Sequence, residues 1–273
     1  MRALLIITGA LVCLSGCSDD GGCTTDSDCD TGFVCEDNIC VQEIDDVTMA
    51  EIAAAPFMMG CNEAEDTACD PDELPYHEVT LSAYEIDVRE VTQARYQACV
   101  DVGGCSAPGT DASCNWDPVG RADHPVGCVS WDQANVYCTY VGKRLPSEAE
   151  WEKAARGATG SVYPWGNAAP DCLRANYGDC LGDSAPVGSH TEGNSPYGVE
   201  DMAGNLYEWV NDYYAAAYYE NSPTDDPAGP TSGDNRVMRG GAFGYEIQYM
   251  RASNRGANPQ TASFSPLGFR CAR

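Results

Sequence analysis

Basic residues are scarce in this chain: Lys and Arg total 15 against 42 Asp and Glu, for a net charge of -27. Such acidity disfavours nucleic acid and anionic membrane surfaces as partners and favours divalent cations or cationic partners. The same charge also keeps an exported chain soluble. Histidine is scarcer still, at 3, and His77, His124 and His190 lie far apart. Neither a Gly-x-Ser-x-Gly nucleophile turn nor a His-Glu-x-x-His zinc helix is present. Beyond the first twenty residues, no stretch approaches the roughly 18 apolar residues of a membrane helix. No cysteine falls between Cys180 and Cys271, and no internal repeat is evident.

The chain starts with Arg2, runs apolar from Ala3 to Leu14, and reads Leu14-Ser15-Gly16-Cys17 before Asp19 and Asp20. The run is too short for a permanent membrane span and has the form of a signal peptide. Small residues followed by cysteine match the processing box of bacterial lipoproteins, which makes Cys17 the lipidated mature N-terminus. The competing reading is an ordinary secretory signal with Cys17 in a disulfide. Both readings export the chain to the cell envelope. Lipidation would anchor it to a membrane facing the periplasm or the cell surface, and Ser18, in place of the usual inner-membrane retention Asp, favours the outer membrane.

At 273 residues and 43% hydrophobic content, the chain has room for one sizeable packed domain and a small appendage. Setting Cys13 and Cys17 aside from 16 cysteines leaves 14, an even number that suits an oxidising compartment. Cys23, Cys29, Cys35 and Cys40 fall in one polar segment that cannot build a core, so two disulfides are expected to hold it. Zinc is the alternative, but the gaps of five, five and four residues lack the paired short spacings of zinc sites. Three segments follow: 1–17, the signal peptide with its lipobox cysteine; 18–44, a small disulfide-rich segment and linker; and 45–273, the main domain.

In the main domain, short apolar stretches alternate with loops dense in Gly, Pro, Asn and Asp, the pattern of an α+β fold with much irregular structure. A helix is expected from Ser130, where Ser130-x-x-Gln133 forms a capping box, with Ala134, Tyr137, Cys138 and Val141 on one face, ending at Gly142. A second starts at the Ser147-x-x-Glu150 box, carries Trp151, Ala154 and Ala155, and stops at Gly157. A third covers 92–100. Strands are expected at 78–81, 84–87 and 236–239, each too short to be stable outside a sheet.

The stretch Gly142-Lys143-Arg144-Leu145-Pro146-Ser147-Glu148-Ala149-Glu150-Trp151-Glu152, with Ala155-Arg156-Gly157 and Tyr163-Pro164-Trp165-Gly166, resembles the formylglycine-generating-enzyme (sulfatase-modifying-factor) family. Further matches are Phe57-Met58-Met59-Gly60, Glu90-Val91-Thr92, His124-Pro125-Val126, Val129-Ser130-Trp131, Asp201-Met202-Ala203-Gly204-Asn205-Leu206-Tyr207-Glu208-Trp209, Arg239-Gly240-Gly241 and Gly268-Phe269-Arg270-Cys271. The resemblance implies a loop-rich relative of the C-type lectin fold and a disulfide between Cys138 and Cys271. The other cysteines can pair locally, Cys61 with Cys69, Cys99 with Cys105, Cys114 with Cys128 and Cys172 with Cys180, although sequence alone does not fix that connectivity.

The resemblance also implies metal sites. Calcium would take the side chains of Asp201 and Glu208 and the carbonyls of Gly204 and Leu206, hard oxygens of the kind it prefers. The competing reading has Glu208 and Trp209 opening a buried strand. A second calcium would fall on Asn176, Tyr177, Asp179 and Leu181, where the intervening loop is shorter than the family's. Catalysis in the family rests on two cysteines after the Gly-Gly motif that bind a cuprous ion, because soft thiolates select Cu(I) and exchange with the substrate cysteine. Those positions are Tyr245 and Met250 here, and the serine after the glycines is Ala242. Copper is therefore not expected, one thioether being a poor replacement for two thiolates. A related branch holds iron with a histidine-rich helical domain that has no counterpart here.

The sequence thus supports a non-catalytic, calcium-stabilised binding or structural module, a pseudoenzyme with a peptide or glycan as ligand. Tyr213, Tyr214, Tyr218, Tyr219, Phe243 and Tyr245 are candidates to line its groove, with core packing as the alternative for each. The alternative function is a formylglycine-generating oxidase acting on a sulfatase cysteine through an atypical site.

Overall fold

The computed structural model describes residues 33–36, 39–42, 48–111, 113–158 and 160–273. Cys17 and the sulfur pairing of Cys23, Cys29, Cys35 and Cys40 fall outside the described residues. The chain divides into two units, Met1–Asp46 and Val47–Arg273. In the first, strands β1 (Phe33–Glu36) and β2 (Ile39–Gln42) pair antiparallel.

The second unit contains the three expected helices. α1 (Gln93–Asp101) is capped by Thr92, whose hydroxyl accepts the Arg95 N–H. α2 (Trp131–Tyr140) and α3 (Glu148–Arg156) each carry the capping box read from the sequence, Ser130 with Gln133 and Ser147 with Glu150. A Ser side chain and a Gln or Glu three residues on satisfy two of the backbone donors a helix start leaves open. Gly157, at φ 68°, closes α3 in a conformation that costs other residues more.

The expected strands are also present, within β5 (His77–Leu81), β6 (Tyr84–Asp87) and β8 (Asn235–Arg239). They are joined by β3 (Met49–Ile52), β4 (Ala55–Met59), β7 (Tyr207–Tyr213), β9 (Gly256–Pro259) and β10 (Leu267–Phe269). β3 pairs with β6 and β4 with β5, both antiparallel. The main sheet has the order β10-β7-β8-β9, with β10 and β7 parallel, the other pairs antiparallel, and a register shift in β7 between Trp209 and Tyr213. One apolar cluster joins α3 to β3 through β6, Val210 and Val237. A second gathers Tyr96, Trp131, Tyr137, Trp209 and Phe269 from α1, α2 and the sheet.

α3 buries its charged residues along with its apolar ones. Glu148, Glu152, Lys153 and Arg156 are as buried as Trp151, Ala154 and Ala155. Their charges are met inside the protein. Glu148 accepts bonds from Arg239 at 2.8 Å and Arg255 at 2.7 and 2.9 Å; Glu152 accepts from Arg239 at 2.6 Å, Arg156 at 2.9 Å and the Gly60 N–H at 2.7 Å. Burial works against Glu148's charge, but Arg255 and Arg239 outweigh it and hold the carboxyl below its ordinary range. Lys153 donates to the carbonyls of Ala53 and Ala55 at 3.0 and 2.8 Å.

All five disulfides among the described residues match the sequence pairing: Cys61–Cys69, Cys99–Cys105, Cys114–Cys128, Cys172–Cys180 and the long-range Cys138–Cys271, which closes 133 residues. Disulfides on this scale mark an extracellular or periplasmic protein. No helix among the described residues is long and apolar enough to cross a membrane.

Two outcomes follow from this core. Replacing Cys138 and Cys271 together by serine should cost about 4–5 kcal/mol in urea unfolding, the loop-closure entropy of a ring this long; a loss below about 1 kcal/mol would show that the staple is redundant. The second concerns Asp212, fully buried, which accepts the Glu148 N–H at 2.8 Å. Burial, and then the Glu148 carboxylate, push it up to about 8. Its folded value lies above its unfolded one, so its contribution is whole below the ordinary carboxylate range and is lost as pH rises through about 8. Asp212→Asn removes that dependence. The variant should gain on the parent between pH ~5 and ~9 by a few kcal/mol in order of magnitude, and parallel stability curves would refute the assignment.

Candidate functional site

The 201–208 turn is built from backbone conformations that few residues adopt. Asp201 and Asn205 have φ of 55° and 60°, and Gly204 has 84°. A Cβ at Gly204 would come within 2.5 Å of the Asn176 carbonyl, so only glycine fits. Glu90 holds the turn from below. Fully buried, it accepts the Asn205 side-chain N–H at 2.7 Å and the Leu206 N–H at 3.1 Å. Sequence reading placed Glu90 in a family motif but gave it no role. The available signal was an acid directly ahead of the apolar Val91 and the α1 cap Thr92.

Glu208 leads into β7, as the strand reading anticipated, with its carboxylate gripped by side chains. Arg270 binds it twice, Nε to Oε2 and Nη2 to Oε1, both at 2.7 Å, and the Trp151 indole N–H donates to Oε2 at 2.9 Å. Asp201 accepts the Gly188 N–H at 2.6 Å, and its other oxygen lies 3.9 Å from Nδ1 of the buried His190. Three buried carboxylates thus surround one guanidinium. Burial raises Glu90 well above its ordinary range, with Asp201 and Glu208 adding to the effect, and burial likewise raises Asp201. The oxygen chemistry suits a hard cation, but Glu208 would have to share its carboxylate with Arg270.

The second quartet fits a cation more directly. Asn176 is buried; its Nδ2 donates to the Asp183 carbonyl at 2.8 Å, while its Oδ1 has no hydrogen-bond partner. A buried acceptor without a donor is a rare and costly arrangement that a bound cation or water relieves. Asp179 and Leu181 are exposed, and Tyr177 is half-buried.

At the positions of the family's copper cysteines, Tyr245 packs edge-on against Tyr207 at 5.0 Å and Tyr249 at 5.8 Å, and Met250 is buried against Gly241. Ala242 is buried as well. All ten cysteines from Cys61 to Cys271 are in disulfides. That includes Cys61 and Cys69, whose grouping with Asp66 would otherwise suit a metal ion.

The candidate aromatic residues do not converge on one groove. Tyr214, Tyr218 and Tyr219 pack against the α3 cluster, Tyr213 lies over the Arg236 guanidinium at 3.5 Å, and Tyr245 joins Tyr249 and Trp116 on the other cluster. Phe243 borders a recess with Leu206, Gln93, Asn115, Trp116 and Ser184 that holds about 10 Å³, room for roughly one water. A ligand here would rest on the surface rather than inside a cavity.

This fold and turn architecture define a domain of the sulfatase-modifying-factor type. The chain belongs to the family described as sulfatase-modifying factor enzyme 1-like, which it matches over residues 41–273. It is 34% identical to the formylglycine-generating enzyme of Streptomyces coelicolor, covering 79% of this chain and 86% of that one. It is 35% identical to the serine/threonine-protein kinase pkn1 of Chlamydia caviae over 82% of this chain but only 38% of the kinase. Among solved structures, PvdO from Pseudomonas aeruginosa superimposes with a TM-score of 0.72 at 27% identity, covering 82% of this chain and 93% of that one.

Glu90→Ala would strand the Asn205 amide and the Leu206 N–H in the core. A loss of about 2–4 kcal/mol is expected, with Glu90→Gln costing less because the amide oxygen still accepts one of the two. Equal losses for the two variants in urea unfolding would mean that Glu90 acts through its charge and not through these bonds.

Proposed function

We propose that this chain is an exported, lipid-anchored binding or structural module, stabilised by calcium, that does not carry out the copper–thiol oxidation of its catalytic relatives. One observation carries the reading. Where that chemistry requires two thiolates, this chain has Tyr245 and Met250 packed into their surroundings, and every cysteine from Cys61 onward is already oxidised. A disulfide sulfur is neither a Cu(I) thiolate nor a free nucleophile for exchange with a substrate cysteine.

Calcium would be held by Asn176, Tyr177, Asp179 and Leu181, and by Asp201, Gly204, Leu206 and Glu208 in the neighbouring turn. It would supply positive charge among buried oxygens and so add to stability. The ligand face would be the surface around Phe243, Tyr245 and Tyr249, with Leu181 and Ile247 at its rim. Its aromatic and apolar character suits a peptide or a glycan.

Metal analysis and Cu(I) titration of the chain lacking its first seventeen residues test this reading. Calcium should be present, and the protein should fail to take Cu(I) from a competing chelator. The double variant Tyr245→Cys/Met250→Cys should gain Cu(I) binding. Tight stoichiometric copper in the parent, lost in Met250→Ala, would restore the oxidase.

A further inference from the structure

The Cys172–Cys180 disulfide closes a ring of sequence separation 8. Asn176, Tyr177 and Asp179 lie inside that ring, and Leu181 follows it directly. In a loop shorter than the family's, this cross-link supplies the constraint that length and packing would otherwise provide. The ring already holds polar atoms suited to a hard cation. Asn176 is 1% exposed, and both of its amide hydrogens have acceptors, the Asp183 carbonyl at 2.8 Å and Asn205 Oδ1 at 3.4 Å; its Oδ1 is buried without a donor. The ring's arginine, Arg174, pairs with Asp171, which leaves the exposed Asp179 carboxylate to a cation from solution.

The same ring supports the aromatic face through backbone bonds. The Gly178 N–H donates to the Tyr245 carbonyl at 2.8 Å, and the Gly244 N–H returns to the Gly178 carbonyl at 3.1 Å. A second route runs from the Asn176 carbonyl to the Asn205 N–H at 2.9 Å, and from the Asn205 carbonyl to the Phe243 N–H at 2.9 Å. Both routes start beside the orphaned Asn176 oxygen and end in the segment 243–245, which includes Tyr245 at one of the family's copper-cysteine positions. Whatever orders the ring therefore orders the segment 243–245.

We propose that the loop closed by Cys172–Cys180 is a calcium-loaded brace for the Phe243 and Tyr245 face, with the disulfide as the element that positions the calcium ligands. The proposal rests on the calcium reading of Asn176, Tyr177, Asp179 and Leu181 given above. The disulfide lowers the entropy lost when the ligands close on the ion, so it acts on affinity. The backbone bonds carry the gained order to the face, so occupancy there governs how well the face is preorganised for its ligand.

Calcium titration calorimetry and hydrogen exchange on the full chain, with calcium chloride or with chelator, test this directly. In the parent, calcium should slow exchange at the Phe243 and Gly244 amides, the two that donate along these routes, and Asp179→Asn should lose the effect. Cys172→Ser/Cys180→Ser should need about tenfold more calcium or above to reach the same protection, beyond the lowering of the calcium-free melting temperature that opening the ring brings. Equal calcium affinity in the parent and the double-serine variant would overturn the clamp while leaving the calcium site standing. Calcium binding without protection at Phe243 and Gly244 would overturn the brace, and this arm needs only the parent should the double variant fail to fold. Calcium affinity unchanged in Asp179→Asn, or absent from the parent, would instead remove the calcium reading on which the proposal rests.

Discussion

The bond between Arg270 and Glu208 is the constraint around which the domain is arranged. The guanidinium binds Glu208 through two nitrogens and also donates to the carbonyls of Asp87 and Val88 at 3.1 and 3.0 Å and of Glu200 at 2.9 Å. One side chain thus ties the end of β6, the approach to the 201–208 turn, the start of β7 and the C-terminal segment. The neighbouring Cys271 adds a covalent tie to α2. A buried pair of this kind gains little over apolar packing, but losing one partner leaves the other charged and unsolvated. Its role is therefore to fix register: β10 lies parallel to β7 with Gly268 opposite Glu208, and Arg270 follows immediately.

The same device recurs around α3. Arg239 and Arg255 meet Glu148, Arg239 and Arg156 meet Glu152, and Arg251 meets Glu73 at 2.5 and 2.7 Å. These arginines are drawn into the core together with a few carboxylates, while most Asp and Glu remain outside. In a chain with only 15 basic residues, the outer surface is consequently poor in compensating positive charge. That acidity is a by-product of how the core is built as well as a property of the surface, and it makes cations the natural counterpart of the exposed loops.

What could be read from the sequence divides along physical lines. Helix starts were legible because a capping box is a local hydrogen-bond arrangement, and Ser130 and Ser147 carry it in their immediate neighbours. The short-range disulfides were open in the sequence, where nearby cysteines only suggest local pairs, and the structure fixes them. The burial of Glu148, Glu152, Lys153 and Arg156 was not legible, because their partners, Arg239, Arg255, Gly60 and the Ala53 and Ala55 carbonyls, lie about a hundred residues away. Helical spacing alone assigns such residues to solvent. β7 was half-legible: the segment that reads as a metal-binding turn also opens the central strand, where Glu208 is held by Arg270 and Trp151. The aromatic residues were misleading as a set, since tyrosines close in sequence at 213–219 pack with Arg236 and the α3 cluster, away from Phe243 and Tyr245.

The segment at the family's copper-cysteine positions is held apart from these supports. Segment 243–245 is positioned by its backbone, through the Phe243 and Gly244 N–H groups and the Tyr245 carbonyl, and none of those bonds depends on the side chains carried there. The charged anchors, by contrast, are all side-chain interactions at Glu90, Glu148, Glu152, Glu208, Arg239 and Arg270. A scaffold divided in this way can exchange the residues of its working face while its core stays fixed. Tyr245 and Met250 at these positions place an aromatic ring at the face and a buried thioether beneath it, an occupation that the fold accommodates because backbone bonds hold the segment 243–245.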